Sequence, residues 1–280
     1  MQKAIWIIFL LSILALSFAA WNYSTREPFT LENSGAIPDH VWQTYKTKEL
    51  PPKAKECQKT WQTVFAGSEY SFLDDTDLNA FMEQHFDADV NTVFHAFPLG
   101  VMRADLWRYA VMYIHGGMYS DIDSVALKPR SAWNIRSQDK VIIALENDVH
   151  FCQWTLASVP QHPLFKFVVR LIVEEAQKGI DTSQEHFVHH HTGPGMWTRA
   201  IHQFLGYPKE QKARHTYRLF QTTDRARFEK WGIRLESDTY FSKEMVKNLF
   251  GSTQFGDGYI SWMEQRKALQ NATQRFVVTE

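Results

Sequence analysis

Two carboxylates one residue apart, Asp121 and Asp123, close the segment Gly116-Gly117-Met118-Tyr119-Ser120-Asp121-Ile122-Asp123. In an extended step, residues i and i+2 point to the same side, so these two side chains converge on one space. A hard divalent cation whose other ligands are diphosphate oxygens relieves their repulsion. Mg²⁺ or Mn²⁺ suits such an oxygen set, whereas zinc recruits cysteine or histidine. The alternative is a pair of solvated charges at a strand edge. The frame of Met118, Tyr119 and Ile122, and the close backbone approach that Gly116-Gly117 permits, favour the ligand site.

Arg103, Asp105 and Arg108 lie on the segment that delivers this turn. At 100° per residue Asp105 and Arg108 are about 60° apart on the non-apolar face, close enough to interact. Arg103 falls within roughly 20° of Ala110, at the edge of the apolar stripe, where a guanidinium needs a buried partner. It either pairs with an aspartate elsewhere or, with Asp105, is presented to a phosphate or sugar, which its rigid donor fork suits.

Other chemistry-bearing residues point less sharply. His186, His189, His190 and His191 lack a regular metal-ligand spacing, and in a strand their sides would alternate. Thr192-Gly193-Pro194-Gly195 reads as a shaped loop whose free amides meet a phosphate or sugar hydroxyl at the entry to a helix. Trp154, Trp197 and Trp262 read as core rather than as sugar-stacking surfaces. Cys57 and Cys152 are either buried thiols or one disulfide; two cysteines exclude a disulfide scaffold.

The elements that position these residues alternate between strand and helix, which indicates an α/β fold. Strands are expected at 37–42, 69–73, 118–122 and 141–145, the last continuously apolar and therefore covered on both faces. Helices are expected at 53–65, 76–86, 99–115, 163–177, 195–205, 243–249 and 259–269. The 99–115 helix carries Leu99, Met102, Leu106, Ala110 and Tyr113 on one stripe and stops at Gly116-Gly117. A balance of 30 basic against 31 acidic residues argues against a nucleic-acid surface.

Residues 4–21 are uncharged and apolar, and as a helix roughly 27 Å long they match a bilayer core. With Lys3 before them, they read as a signal-anchor that keeps residues 1–3 cytosolic and sends the remainder across the membrane, the alternative being a cleaved signal peptide. Residues 1–21 form this tip and anchor, 22–36 a stalk, and 37–280 one luminal domain. Asn271 heads an accessible glycosylation sequon; Asn22 heads a second, close to the membrane.

Three segments together resemble the glycosyltransferases with a DXD sugar-binding motif: Ile37-Pro38 to Val41-Trp42-Gln43-Thr44, Arg103-Ala104-Asp105-Leu106-Trp107-Arg108-Tyr109, and Gly116 to Asp123. Phe151-Cys152-Gln153-Trp154-Thr155, His162-Pro163 and Thr192-Gly193-Pro194-Gly195 look like the fungal initiation-specific α-1,6-mannosyltransferase branch, glycosyltransferase family 32. The resemblance runs from about residue 37 to 205.

That resemblance implies a GT-A-like nucleotide-diphospho-sugar transferase fold and a single-pass type II Golgi membrane enzyme. It implies Mn²⁺ (or Mg²⁺) and GDP-mannose, with mannose moved to an N-glycan core in α-1,6 linkage and with retention. Asp121 and Asp123 would hold the metal; Arg103, Asp105, Arg108, Tyr119, Asp121 and Asp123 would bind the donor, with the Gln43 region near the nucleotide. No catalytic base or nucleophile is assigned. An inositol phosphoceramide acceptor and a membrane-tethered, non-catalytic carbohydrate-binding module are the alternatives. Partners would be the nucleotide sugar, a glycan or glycolipid acceptor, the lipid bilayer and other glycosyltransferases in a complex. Beyond Gly206 only 251–259 and Ser261-Trp262 are family-like, and Asp257 is a further candidate for the metal or donor site.

Overall fold

The computed structural model describes residues 30–32, 34–207, 225–249, 262–271 and 275–276. The chain runs β1 (His40–Thr44), α1 (Pro52–Val64), β2 (Glu69–Leu73), α2 (Asp75–His85), α3 (Ala88–Ala96), α4 (Gly100–Ile114), β3 (Gly117–Ser120) and β4 (Ser124–Ala126). It continues through β5 (Val141–Ala144), β6 (Thr155–Ser158), α5 (Pro163–Gln177), β7 (Ile180–Asp181), α6 (Phe187–His191) and α7 (Pro194–Phe204). After these come α8 (Arg225–Glu229), β8 (Ile233–Glu236), β9 (Val246–Asn248), α9 (Trp262–Asn271) and β10 (Arg275–Phe276).

Six strands form the central sheet in the order β2-β1-β3-β6-β5-β8. β1 runs parallel to β2 and β3, and β5 parallel to β8. β6 is antiparallel to both β3 and β5. The strand period of two sends successive side chains into two separate cores. Ile142 and Ala144 join Trp61, Trp133 and Met118 on one face, while Val141 and Ile143 join Leu106, Phe165 and Trp197 on the other.

Chain order reverses at β1, which has β2 on one side and β3 on the other. The carboxyl ends of strands at such a switch point are where ligands sit in open α/β sheets. Thr44 and Ser120 end β1 and β3 there, and Glu146 follows β5 by two residues.

Local signals explain the element ends. Asp74 caps α2 through Thr76 and Asp77, with Asp77 returning a bond to the Asp74 amide. Gly116 and Gly117 take φ of +65° and +91°, and a Cβ at Gly117 would stand 2.6 Å from the His40 carbonyl oxygen. Glycine is required there by both conformation and space.

Two expectations need correcting. Tyr240–Glu244 forms one π-helical turn, and the segment expected as a helix at 243–249 instead carries strand β9 at its centre, antiparallel to β4. Val246 and Asn248 are buried while Lys247 is exposed, a period of two rather than 3.6. His189, His190 and His191 lie on the short helix α6, with His186 at its N-cap. On the non-apolar face of α4, Asp105 and Arg108 are 1% and 4% exposed. Finally, Ile122 and Asp123 form a turn closed by Ser124 N–H to the Asp121 carbonyl at 3.1 Å, not an extended step.

Among the described residues no helix is long and apolar enough to cross a membrane. The expected anchor at 4–21, Asn22 and Asp257 lie outside the described residues, and α9 reaches Asn271. Cys57 and Cys152 are both buried free thiols.

Candidate active site

The Asp121-Ile122-Asp123 turn is held from three sides. Beneath it, the Ser120 hydroxyl meets Ser124 Oγ at 2.7 Å and Thr155 Oγ1 at 2.8 Å, and Trp61 Nε1 donates to the Ser124 carbonyl at 3.1 Å. Ile122 is buried with Leu50 and Ala54. Laterally, Asp121 N–H donates to the Trp154 carbonyl at 2.8 Å, and Gln43 Nε2 donates to the Asp121 carbonyl at 3.2 Å. The Asp121 side chain stays 28% exposed, and Asp123 is half-buried with its Oδ1 atom buried.

Behind the turn lies a buried polar chain. Arg108 Nη2 is 2.8 Å from Asp105 Oδ1 and 3.4 Å from Asp121 Oδ1, while Nη1 donates to the Gln153 carbonyl at 3.1 Å. The Tyr119 hydroxyl also donates to Asp121 Oδ1, and the guanidinium lies 4.9 Å from the Tyr119 ring centre. Asp105 accepts from Thr192 Oγ1 at 2.8 Å and from Gln153 Nε2 at 3.3 Å. Gln153 in turn accepts from the Tyr109 hydroxyl at 2.6 Å.

Carboxylates outnumber cations here. Burial raises the Asp105 carboxyl to about 6, offset in part by Arg108 and Thr192. Burial also raises Asp121, against the pull of Arg108 and the Tyr119 hydroxyl. Burial would lower Arg108, but Asp121, Tyr119 and Asp105 outweigh it and hold the guanidinium charged. Burial and the charge of Asp121 push Glu146 up to about 7.

A divalent cation fits this donor set: hard oxygens, an excess of negative charge, and carboxyls that a cation would deprotonate. Among the described residues no group of three or more His, Cys, Asp or Glu side chains is arranged as a metal cage. Asp121 and Asp123 would thus share the ion with phosphate oxygens and water.

The structure brings Asp105, Arg108, Tyr119 and Asp121 into one group. Arg103 stands apart, partly exposed and 3.5 Å from Asp75 at the start of α2. Gln43 is fully buried, accepting from Tyr70 OH at 2.7 Å, and sits behind the turn. Thr192 is buried and faces Asp105 rather than presenting free amides to a ligand. A Cβ at Gly195 would stand 2.5 Å from His189 Cε1, so this glycine lets α7 pack on the histidine helix. His189 and His150 approach at 3.1 Å through their Nε2 atoms. Trp197 is core, its indole donating to the Cys152 carbonyl at 3.0 Å.

Residue reading missed Glu146 and Tyr70, and quoted Tyr109, Gln153 and Thr192 only as parts of motifs. A carboxylate just past a strand that is apolar on both faces was the available signal for Glu146. Cavities of about 390 and 610 Å³ line the β8 side, bounded by Arg136, Glu229 and Ile233, away from Asp121.

Residues 51–142 match the family described as a glycosyltransferase sugar-binding region containing the DXD motif. Over 196 residues the chain is 34% identical to an initiation-specific alpha-1,6-mannosyltransferase of Schizosaccharomyces pombe, covering 61% of this chain and 49% of that protein. It is 31% identical over 147 residues to inositol phosphoceramide mannosyltransferase 2 of the same organism, covering 50% of this chain and 40% of that protein. Among solved structures, the PaToxG glycosyltransferase superposes with a TM-score of 0.50 at 16% identity, covering 78% of this chain and 86% of that one. The mixed α/β fold with its mainly parallel sheet is thus similar to that of the PaToxG glycosyltransferase. The chain spans about half the length of the curated relatives it matches.

Proposed function

We propose that this chain is a metal-dependent mannosyltransferase of GT-A-like fold. It moves mannose from GDP-mannose to a glycan acceptor, in α-1,6 linkage and with retention, on the luminal side of the Golgi membrane. The observation that carries this is the Asp121-Ile122-Asp123 turn at the carboxyl edge of β1 and β3, braced by Arg108. The relatives named for α-1,6-mannosyl transfer support the sugar and linkage. The apolar segment 4–21 supports a type II anchor.

Mn²⁺ at Asp121 and Asp123 would supply charge stabilisation for the departing diphosphate. The chain does the rest. Arg108 and Tyr119 fix Asp121 Oδ1. Asp105, itself clamped by Thr192 and Gln153, keeps Arg108 in place and charged. Preorganised charge of this kind needs no rearrangement as the leaving group develops.

The test is a donor panel with and without Mn²⁺ on the full chain. Wild type should turn over GDP-mannose only with metal, and Asp121→Asn and Asp123→Asn, folded by circular dichroism, should lose at least about 100-fold. Folded, metal-supplied wild type that neither hydrolyses nor transfers any donor would leave a non-catalytic binding module as the reading. Glycan and inositol phosphoceramide acceptors, assayed in parallel, decide between the glycan reading and the lipid reading that the second relative favours.

A further inference from the structure

Imidazoles gather where α6 meets the loop between β5 and β6. The ring centres of His189 and His150 lie 4.7 Å apart, those of His189 and His190 5.0 Å, and His186 stands 6.3 Å from His189. His189 and His150 are the close pair, with their Nε2 atoms 3.1 Å apart. Rings joined head-on at that separation would hold their centres farther apart than 4.7 Å, so the two nitrogens are turned off the line between them.

His189 offers a ligand one nitrogen only. A Cβ at Gly195 would stand 2.6 Å from Nδ1, which is buried, whereas Nε2 turns to His150. The pair is half-buried, and His186 and His190 beside it are exposed, so this corner of the molecule is open to solvent. Burial, then His150, His190, His186 and Arg199, lower His189 to about 4, and burial and His190 lower His150. Both rings are therefore neutral at pH 7, the form in which imidazole ligates. At a metal–nitrogen length of about 2.05 Å, nitrogens 3.1 Å apart subtend about 98° at a shared ion, between the octahedral and tetrahedral angles.

We infer that His150 and His189 form a two-nitrogen site for a borderline divalent cation such as Zn²⁺, with water completing its shell. Among the described residues no three ligating side chains form a cage, which fits an open two-ligand site and not a closed structural zinc. Imidazole selects zinc, copper or nickel, all of which bind nitrogen more tightly than Mn²⁺ does. The ion is thus distinct from one held by the oxygens of Asp121 and Asp123, and the site does not depend on the reading of those carboxylates. Bound there, it ties the loop that carries His150 to α6, and the residue after α6, Thr192, holds Asp105.

Calorimetric titration of the full chain with Zn²⁺, in excess Mg²⁺ to occupy oxygen sites, tests this. Wild type should take up one Zn²⁺ ion per chain at this site. Its affinity should fall at least about 10-fold in His150→Ala and in His189→Gln, because losing a ligand costs no less than losing an outer-shell partner. The melting temperature should rise with Zn²⁺ in wild type, return with a chelator, and stay flat in His150→Ala. If His189→Gln does not fold, His150→Ala alone decides. Affinity lost in the double variant His186→Ala, His190→Ala but kept in His150→Ala would mean adventitious binding by surface histidines and overturn the pair. Wild type that takes up no Zn²⁺ would overturn it too.

Discussion

Thr192 shows how much of this site rests on a single hydroxyl far along the chain. It is buried, and Asp105 Oδ2 has it as a donor at 2.8 Å while Oδ1 serves Arg108 and Gln153. Replacing Thr192 by Val keeps the shape and removes the donor, so Asp105 loses a charge-assisted bond of about 1.5–3 kcal/mol. Thr192→Val should therefore destabilise the fold by that order in urea titration, while Thr192→Ser stays close to wild type. Donor affinity should follow the same ranking, because the loosened Asp105 no longer fixes Arg108. At this scale the sequence was partly legible. The spacing of Asp105 and Arg108 announced a pair, and the structure contains it. Their burial was not legible, because a helical wheel places the two on a polar face and cannot say that β6 and α6 cover that face.

Elements were legible where a local cap or period dictated them. The helix expected at 76–86 and the apolar strand expected at 141–145 lie within about a residue of α2 and β5, and the structure shows the Asp74 capping box that starts α2. β9 was misread because its alternation is only three residues long and its partner β4 lies far away in sequence. The His162-Pro163 step has a local logic of its own. Pro163 opens α5, and His162 caps it, Nδ1 accepting from Leu164 N–H at 3.2 Å. Nε2 then donates to the Trp231 carbonyl at 2.9 Å, so both nitrogens are committed to the neutral ring. Burial drives the pKa of His162 down to about 4, against the raising pull of Trp231. Unfolded, the ring titrates near 6.5. The unfolded chain thus binds more protons between those values, and stability falls as pH drops through that window, by about 3 kcal/mol in all. Denaturation midpoints measured from pH 7 to 4 should decline less steeply in His162→Asn, which can still cap α5. Parallel slopes for the two proteins would refute the assignment.

Across the whole molecule, one sheet edge gathers the site from segments spread over more than a hundred residues: Gln43, Asp121, Glu146 and Trp154 all stand at the ends of strands, with Thr192 behind. Sequence motifs revealed the two local clusters, but not which strands neighbour each other, and Glu146 depends on that order alone. The same architecture decides the fate of the two thiols, which bear on any route through an oxidising lumen. Cys57 lies on α1 and Cys152 between β5 and β6, each at most 1% exposed. Burial raises both thiols above their ordinary range, Cys152 most strongly, so little thiolate is available to attack an oxidant or a disulfide. Reaction with a thiol reagent at pH 7.5 should count close to zero groups in native protein and two after denaturation. Dithiothreitol should leave the melting temperature unchanged. A single disulfide recovered by non-reducing mass analysis of folded protein would contradict the two free, buried thiols of the structure.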